Sequence, residues 1–384
     1  MTKAEQYCLN STGVKSKIVL IAVALMLLLG WLTWNKPHHE VPAQPASGAV
    51  TNEALAQTFS PVPGIASARA VILSSQPPPA TNLLARIING DAPQLTMEQL
   101  HAYLEANHRD AESLLIAFQA THNRELLDEA TAKYPEDPRV AYTAWFRAES
   151  SANDPDALNA KRQALDTFKQ TAPDNSLANY LSAANYFKTD HPELAVEEVQ
   201  AGAGKAKFDD YVQDAIQGMQ EAYEKAGYSE VEAKLAATTG ALLPHLVELK
   251  QTGLSLLELA NKYTQSGDTG SAQSAIQMCL DLGERLNDPN AMTLIQELVG
   301  VAIQRKAYDA MAATITDPAT SQAIQARIEA LAKYRDDIKT TVSSLNLEDW
   351  MQTASSEDVS SYLDRERIFG ERRAMQWLAN RKQR

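Results

Sequence analysis

Residues Gly253 to Pro289, GLSLLELANKYTQSGDTGSAQSAIQMCLDLGERLNDP, read as two helices facing each other. The first carries an apolar stripe at Leu256, Leu259, Ala260 and Tyr263. Ser266-Gly267-Asp268 supplies turn chemistry, and a second stripe follows at Ala272, Ala275, Ile276, Cys279 and Leu280, with small residues where two backbones would touch. A helical hairpin of this kind cannot bury both faces alone, so it implies neighbours of the same kind.

The rest of the chain supplies them. From Thr81 onward the pattern is helical, and Thr96-Met97-Glu98-Gln99 has the form of a capping box. The spacing predicts helices at 96–106, 110–121, 123–134, 138–150, 156–172, 176–188, 192–203, 209–226, 229–250, 253–265, 269–286, 289–305, 306–314, 318–344 and 356–381. Prolines at 135, 138, 173 and 192 stop one helix or start the next.

The totals bound the class. A chain of 384 residues is long enough for one extended helical array or two domains with real cores. A net charge of −13 argues against sequence-independent nucleic-acid binding, which needs dense Lys and Arg. The charge is uneven: residues 1–34 carry +2, residues 365–384 carry +5, and the middle carries −20. Cys8 and Cys279, the two cysteines, fall on either side of an apolar segment, so no disulfide between them is expected. Neither has the spacing of a metal site.

That apolar segment, Ile18 to Trp34, contains no charge and is bounded by Lys15 and Lys17 on one side and Lys36 on the other. A bilayer core of ~30 Å needs ~20 helical residues, with ~17 as the lower end, and Trp31 and Trp34 sit where an aromatic belt would. The competing reading is a cleaved signal peptide, but the run is longer than an h-region and the nearest small-x-small pattern, Ala46 to Ala49, lies well past it. The expectation is therefore a short cytoplasmic tail at 1–17, a transmembrane helix at 18–34 and a body outside the cytoplasm, periplasmic if the cell is a diderm bacterium. Residues 35–92 hold Pro37, Pro42, Pro45, Pro61, Pro63 and Pro77-Pro78-Pro79, the composition of a semi-extended linker, with a short element at Ile65 to Ser74. His38-His39 beside Pro37 is read as part of that tether rather than as a metal site.

Within the helical body, Ala260, Tyr263, Ala272, Ile276 and Cys279 resemble the interhelical contact pattern of the tetratricopeptide repeat. Tyr180, Ala184, Phe187, Ala195 and Val199 in 176–208 look similar, and Ala164, Phe168 and Pro173 resemble the second half of a further unit. The resemblance covers about 120 to 310, without the Trp and Leu-Gly of the first helix. It implies an all-α, right-handed solenoid of antiparallel helix pairs at 93–345, with a concave surface that binds peptide segments or partner helices and no intrinsic catalysis.

A search for converging chemistry finds none. Gln200-Ala-Gly-Ala-Gly-Lys205 is superficially like a phosphate loop but lacks the first Gly, the following Ser or Thr and the preceding strand. His101, His108, His122, His191 and His245 lie on different predicted elements, and Glu197-Glu198, Asp209-Asp210 and Asp336-Asp337 point about 100° apart on a helix. No cofactor, metal or catalytic residue is assigned. Tyr142, Trp145, Tyr180 and Tyr186 are candidates to line a partner-binding groove, against the plainer reading that aromatics at helical spacing form core. Residues 346–384 end in a basic amphipathic helix, read either as a cap that closes the array or as a contact for anionic lipid or an acidic partner. The expected role is a membrane-anchored, non-catalytic scaffold for protein partners. The alternatives are a ligand-binding or enzymatic helical domain, or a self-associating envelope component.

Overall fold

The computed structural model describes residues 93–148 and 155–382, all within the unit Ala80–Arg384. The tail, the apolar segment at 18–34, His38-His39 and the Pro-rich linker lie outside the described residues. Among the described residues every regular element is a helix, and no helix is long and apolar enough to cross a membrane.

The first four helices are α1 (Met97–Ala106), α2 (Ala111–Thr121), α3 (Arg124–Lys133) and α4 (Pro138–Arg147). Thr96 and Gln99 form the reciprocal capping box that the sequence predicts, at 3.2 and 2.9 Å. Asp110, Asn123 and Asp137 cap the next three, each accepting from a backbone N–H of the first turn. Then come α5 (Pro155–Thr171), α6 (Ser176–Lys188), α7 (Pro192–Ala203), α8 (Val212–Lys225) and α9 (Glu230–Thr239).

The deciding hairpin is α10 (His245–Gln265) and α11 (Thr269–Leu286), followed by α12 (Leu294–Thr314). Gly267, at φ 82°, makes the turn, and Asp268 caps α11. Gly253 does not break the helix as the sequence reading expects. It lies in mid-α10, where a Cβ would meet Ile303 at 3.1 Å, and its carbonyl accepts from the Cys279 thiol at 3.3 Å. The glycine serves close helix contact instead of a stop. The predicted helices at 289–305 and 306–314 are likewise one, because nothing at the junction removes a donor or demands a positive φ.

Three cores hold these helices. The largest runs through α4, α5, α6, α7, α10, α11 and α12, with Phe168, Leu177, Tyr180, Leu249, Leu256 and Leu286 essentially without exposure. Burial of one such side chain contributes about 1.5–3 kcal/mol. A second core joins α1 to α4, and a third joins α1 and α2 to α8 and α9. The third core brings together residues far apart in the chain: Tyr103 of α1 donates to the Gly218 carbonyl of α8 at 3.3 Å.

After α13 (Pro318–Leu345) and the short α14 (Leu347–Thr353), the predicted helix at 356–381 is two, α15 (Ser356–Phe369) and α16 (Glu371–Lys382). Gly370 separates them at φ 85°, with the Ala291 carbonyl where its Cβ would be, at 2.8 Å, so this position takes only glycine. Both helices turn back onto the body. Lys234 of α9 reaches Asp364 at 2.7 Å and Ser360 at 2.9 Å. Glu371 accepts from the Leu294 N–H at the start of α12, at 2.8 Å, and Arg372 meets the buried Glu297 at 3.0 Å.

Candidate functional site

One cleft of about 120 Å³ opens where the three cores meet. Its walls are two helix faces. Glu112, Leu115, Ile116 and Gln119 follow one another at helical spacing on α2, and Arg139, Tyr142, Thr143, Phe146 and Arg147 do so on α4. The turn Asp210-Tyr211-Val212 leads into α8 and closes one side, and Ala241, Leu242 and Pro244 before α10 form the other. Leu242 keeps 44% of its surface exposed at this rim.

The turn under the cleft is held by Asn175 and Ser176, both nearly without exposure. Asn175 donates to the Asp209 carbonyl at 2.7 Å and accepts from its N–H at 3.1 Å, while also capping α6 through Leu177. Ser176 places both its N–H and its hydroxyl on the Lys207 carbonyl, at 2.9 and 2.8 Å. Asp209 then binds the Tyr211 N–H at 2.9 Å, and Asp210 binds that of Val212 at 3.1 Å. These bonds keep Tyr211 in the left-handed region at φ 55°, which costs an L-residue about 1–2 kcal/mol.

Aromatic rings floor the site. Tyr142 stacks on Trp145 with centroids 5.5 Å apart and meets Phe168 and Tyr211 at 5.7 and 6.1 Å. Behind it, the fully buried His245 shares a hydrogen bond with the Tyr142 hydroxyl through Nδ1, at 3.2 Å. Its Nε2 lies 3.3 Å from Asp210 Oδ2, without the alignment of a hydrogen bond. Burial lowers the imidazole to about 3 and raises the Asp210 carboxyl to about 6, so each group is driven towards its neutral form. Burial, with Asp210 beside it, also pushes the Tyr142 phenol well above its usual value.

The charges at the mouth differ in their partners. Arg139 is held by Asp137 at 2.8 Å and Glu112 at 2.9 Å. Arg147 makes no ion pair among the described residues and stacks on Phe118 and Phe146, 5.0 and 5.7 Å from their centroids.

Of the four aromatics singled out in the sequence, Tyr142 lines the cleft while Trp145 and Tyr180 are core, with 2% and 1% exposure. Tyr186 is half-buried away from the cleft, with the Arg162 guanidinium 3.7 Å from its ring centroid. The Gly-rich 200–205 stretch is the end of α7, where the Lys205 carbonyl accepts from Arg285 at 2.7 Å. Asn175, Asp210, His245 and Leu242 escape a sequence reading because their partners are distant in the chain. A Pro-Asp-Asn after a helix signals a stop, not the 34-residue span from Asn175 to Asp209.

No family model, curated protein or solved structure matches the chain.

Proposed function

We propose that the chain is a membrane-anchored, non-catalytic scaffold that seats a segment of a partner protein in the cleft between α2 and α4. The cleft itself carries this reading. At about 120 Å³ it is well below the roughly 300–1,000 Å³ of a small-molecule pocket, and suits one anchoring apolar side chain of a larger partner. Leu242 at the rim and Arg147, stacked on Phe118 and Phe146, give that anchor an apolar edge and a cationic one.

The finer architecture proposed is a right-handed, tetratricopeptide-like solenoid. The antiparallel pairs α6–α7 and α10–α11, packed through small residues, support it. The contacts of α8 with α1, and of α15 with α9, add a return path that a strictly linear array lacks. Residues 18–34 would hold this array at the membrane, outside the cytoplasm, and residues 35–92 would let it reach partners.

A second reading, a ligand or catalytic pocket, draws on the convergence of Tyr142, His245 and Asp210. The titration directions weigh against catalysis there, since burial suppresses the base in His245 and the phenolate in Tyr142. Burial likewise raises the Cys279 thiol to about 12.

A photo-crosslinking amino acid at Leu242 of the full-length protein, in its own membranes, tests the proposal. One discrete protein adduct, absent when the label is moved to the exposed Val247 on the flank of α10, is the expected result. Equal labelling from both positions would remove the cleft from the account.

A further inference from the structure

We propose that the turn between α15 and α16 is a docking surface for an anionic phospholipid bilayer. Ile368 and Phe369 end α15 with 60% and 49% of their surface exposed, side by side at the turn that Gly370 makes. One helical turn back, Arg365 lies 4.5 Å from the Trp377 centroid on α16, and Arg381 covers the same indole at 5.4 Å. Two aliphatic or aromatic tips, an indole and guanidinium groups on one edge form the composition of a membrane-water interface.

Charge makes the same choice of occupant. Residues 365–384 carry +5 on a chain whose net charge is −13. Of the acids near the turn, Asp358 lies on Arg381 at 2.6 Å, Asp364 on Lys234 at 2.7 Å and Glu371 on the Leu294 N–H, while burial pushes the Glu366 carboxyl up, towards its neutral form. Among the described residues Glu357, at the far end of α15, has no ion pair. Among the described residues Arg365, Arg367, Arg373 and Lys382 have no acidic partner. An anionic surface is drawn to this edge and repelled by the acidic body, which orients the domain.

The test uses the full-length chain with Cys8→Ser and Ile368→Cys, labelled at position 368 with an environment-sensitive NBD dye. Cys279 is buried, with its thiol raised to about 12, and stays unlabelled in the folded protein. The protein is reconstituted with phosphatidylcholine vesicles, with or without phosphatidylglycerol, and quenching by lipid-borne doxyl groups reports depth. The reading predicts blue-shifted, quenched emission with phosphatidylglycerol and water-like emission without it. Each arginine near the surface contributes roughly five-fold, so Arg365→Gln with Arg373→Gln should weaken the partitioning roughly 25-fold. Phe369→Asp, at an exposed position, should abolish the quenching while the unfolding midpoint stays within error. Water-like emission on both membranes, or equal quenching on both, would overturn the proposal.

Discussion

Between α10, α11 and α12 glycines let the helices approach to backbone contact within an aliphatic core, whereas the cleft is framed by long polar and aromatic side chains. A Cβ on Gly300 would lie 2.6 Å from both the Asn287 N and the Gly283 carbonyl, and one on Gly283 would lie 2.7 Å from Gln304. Around the cleft, Asn175, Ser176, Asp210 and His245 hold Tyr142, Tyr211 and the turn with directional bonds. Close packing of small residues leaves no room to accommodate a ligand and fixes one crossing. Hydrogen-bonded turns fix a shape while leaving a surface open, so the first region is built for rigidity and the second keeps an open face.

The comparison breaks most easily at Gly300. Gly300→Ala should destabilise the domain by about 3 kcal/mol, because the clash is with backbone that cannot rotate away, and a urea unfolding series would measure it. A loss under 1 kcal/mol would mean that α11 and α12 can slide, and the rigid-frame reading would go.

Asn175→Ala comes next, at about 2–3 kcal/mol, since it removes a helix cap and leaves buried groups of Asp209 unpaired. Amide exchange should rise at 207–212 and stay low in α11 and α12. Faster exchange across all three would merge the two regions.

A pH series sharpens the same contrast. Asp210 is raised from 3.8 to about 6, so the folded state binds its proton more tightly and stability falls as pH rises from about 4 to 6. His245 is lowered from 6.5 to about 3, so its contribution is complete above pH 6.5 and is lost as pH falls below that value. The two slopes oppose each other between about pH 4 and 6. Asp210→Asn removes one of them, and relative to wild type it should lose about 2 kcal/mol over that interval on acidification. Parallel curves for the two proteins would show that the pair is not buried as described.

A further pH test falls in α15. Burial raises Glu366 to about 8, so its neutral form suits the folded state and stability is lost as pH rises from 4.5 through 8. Glu366→Gln should raise the unfolding midpoint at pH 8 and leave it unchanged near pH 4.5, by calorimetry.

Much of the frame was legible in sequence because it is local. The alternation of apolar and small residues from Leu256 to Leu280, the turn at Ser266-Gly267-Asp268 and the cap at Thr96 are short-range signals. Glycine was the ambiguous letter: Gly253 permits close contact within α10, while Gly370 ends α15 through a positive φ, and sequence spacing does not distinguish these uses. The cleft was hardly legible. Tyr142 was a candidate on aromatic spacing alone, and His245, which sits 103 residues further on, becomes its partner only through the tertiary fold.

The most direct measurement is purification of the full-length chain from its own cells in mild detergent, as wild type and as Leu242→Asp, with mass spectrometry of what accompanies each. The account predicts a stoichiometric partner that survives moderate salt with the wild type and is lost with the variant, at unchanged thermal stability. A wild-type chain that emerges alone and monomeric, or a partner that stays with the variant, would contradict it.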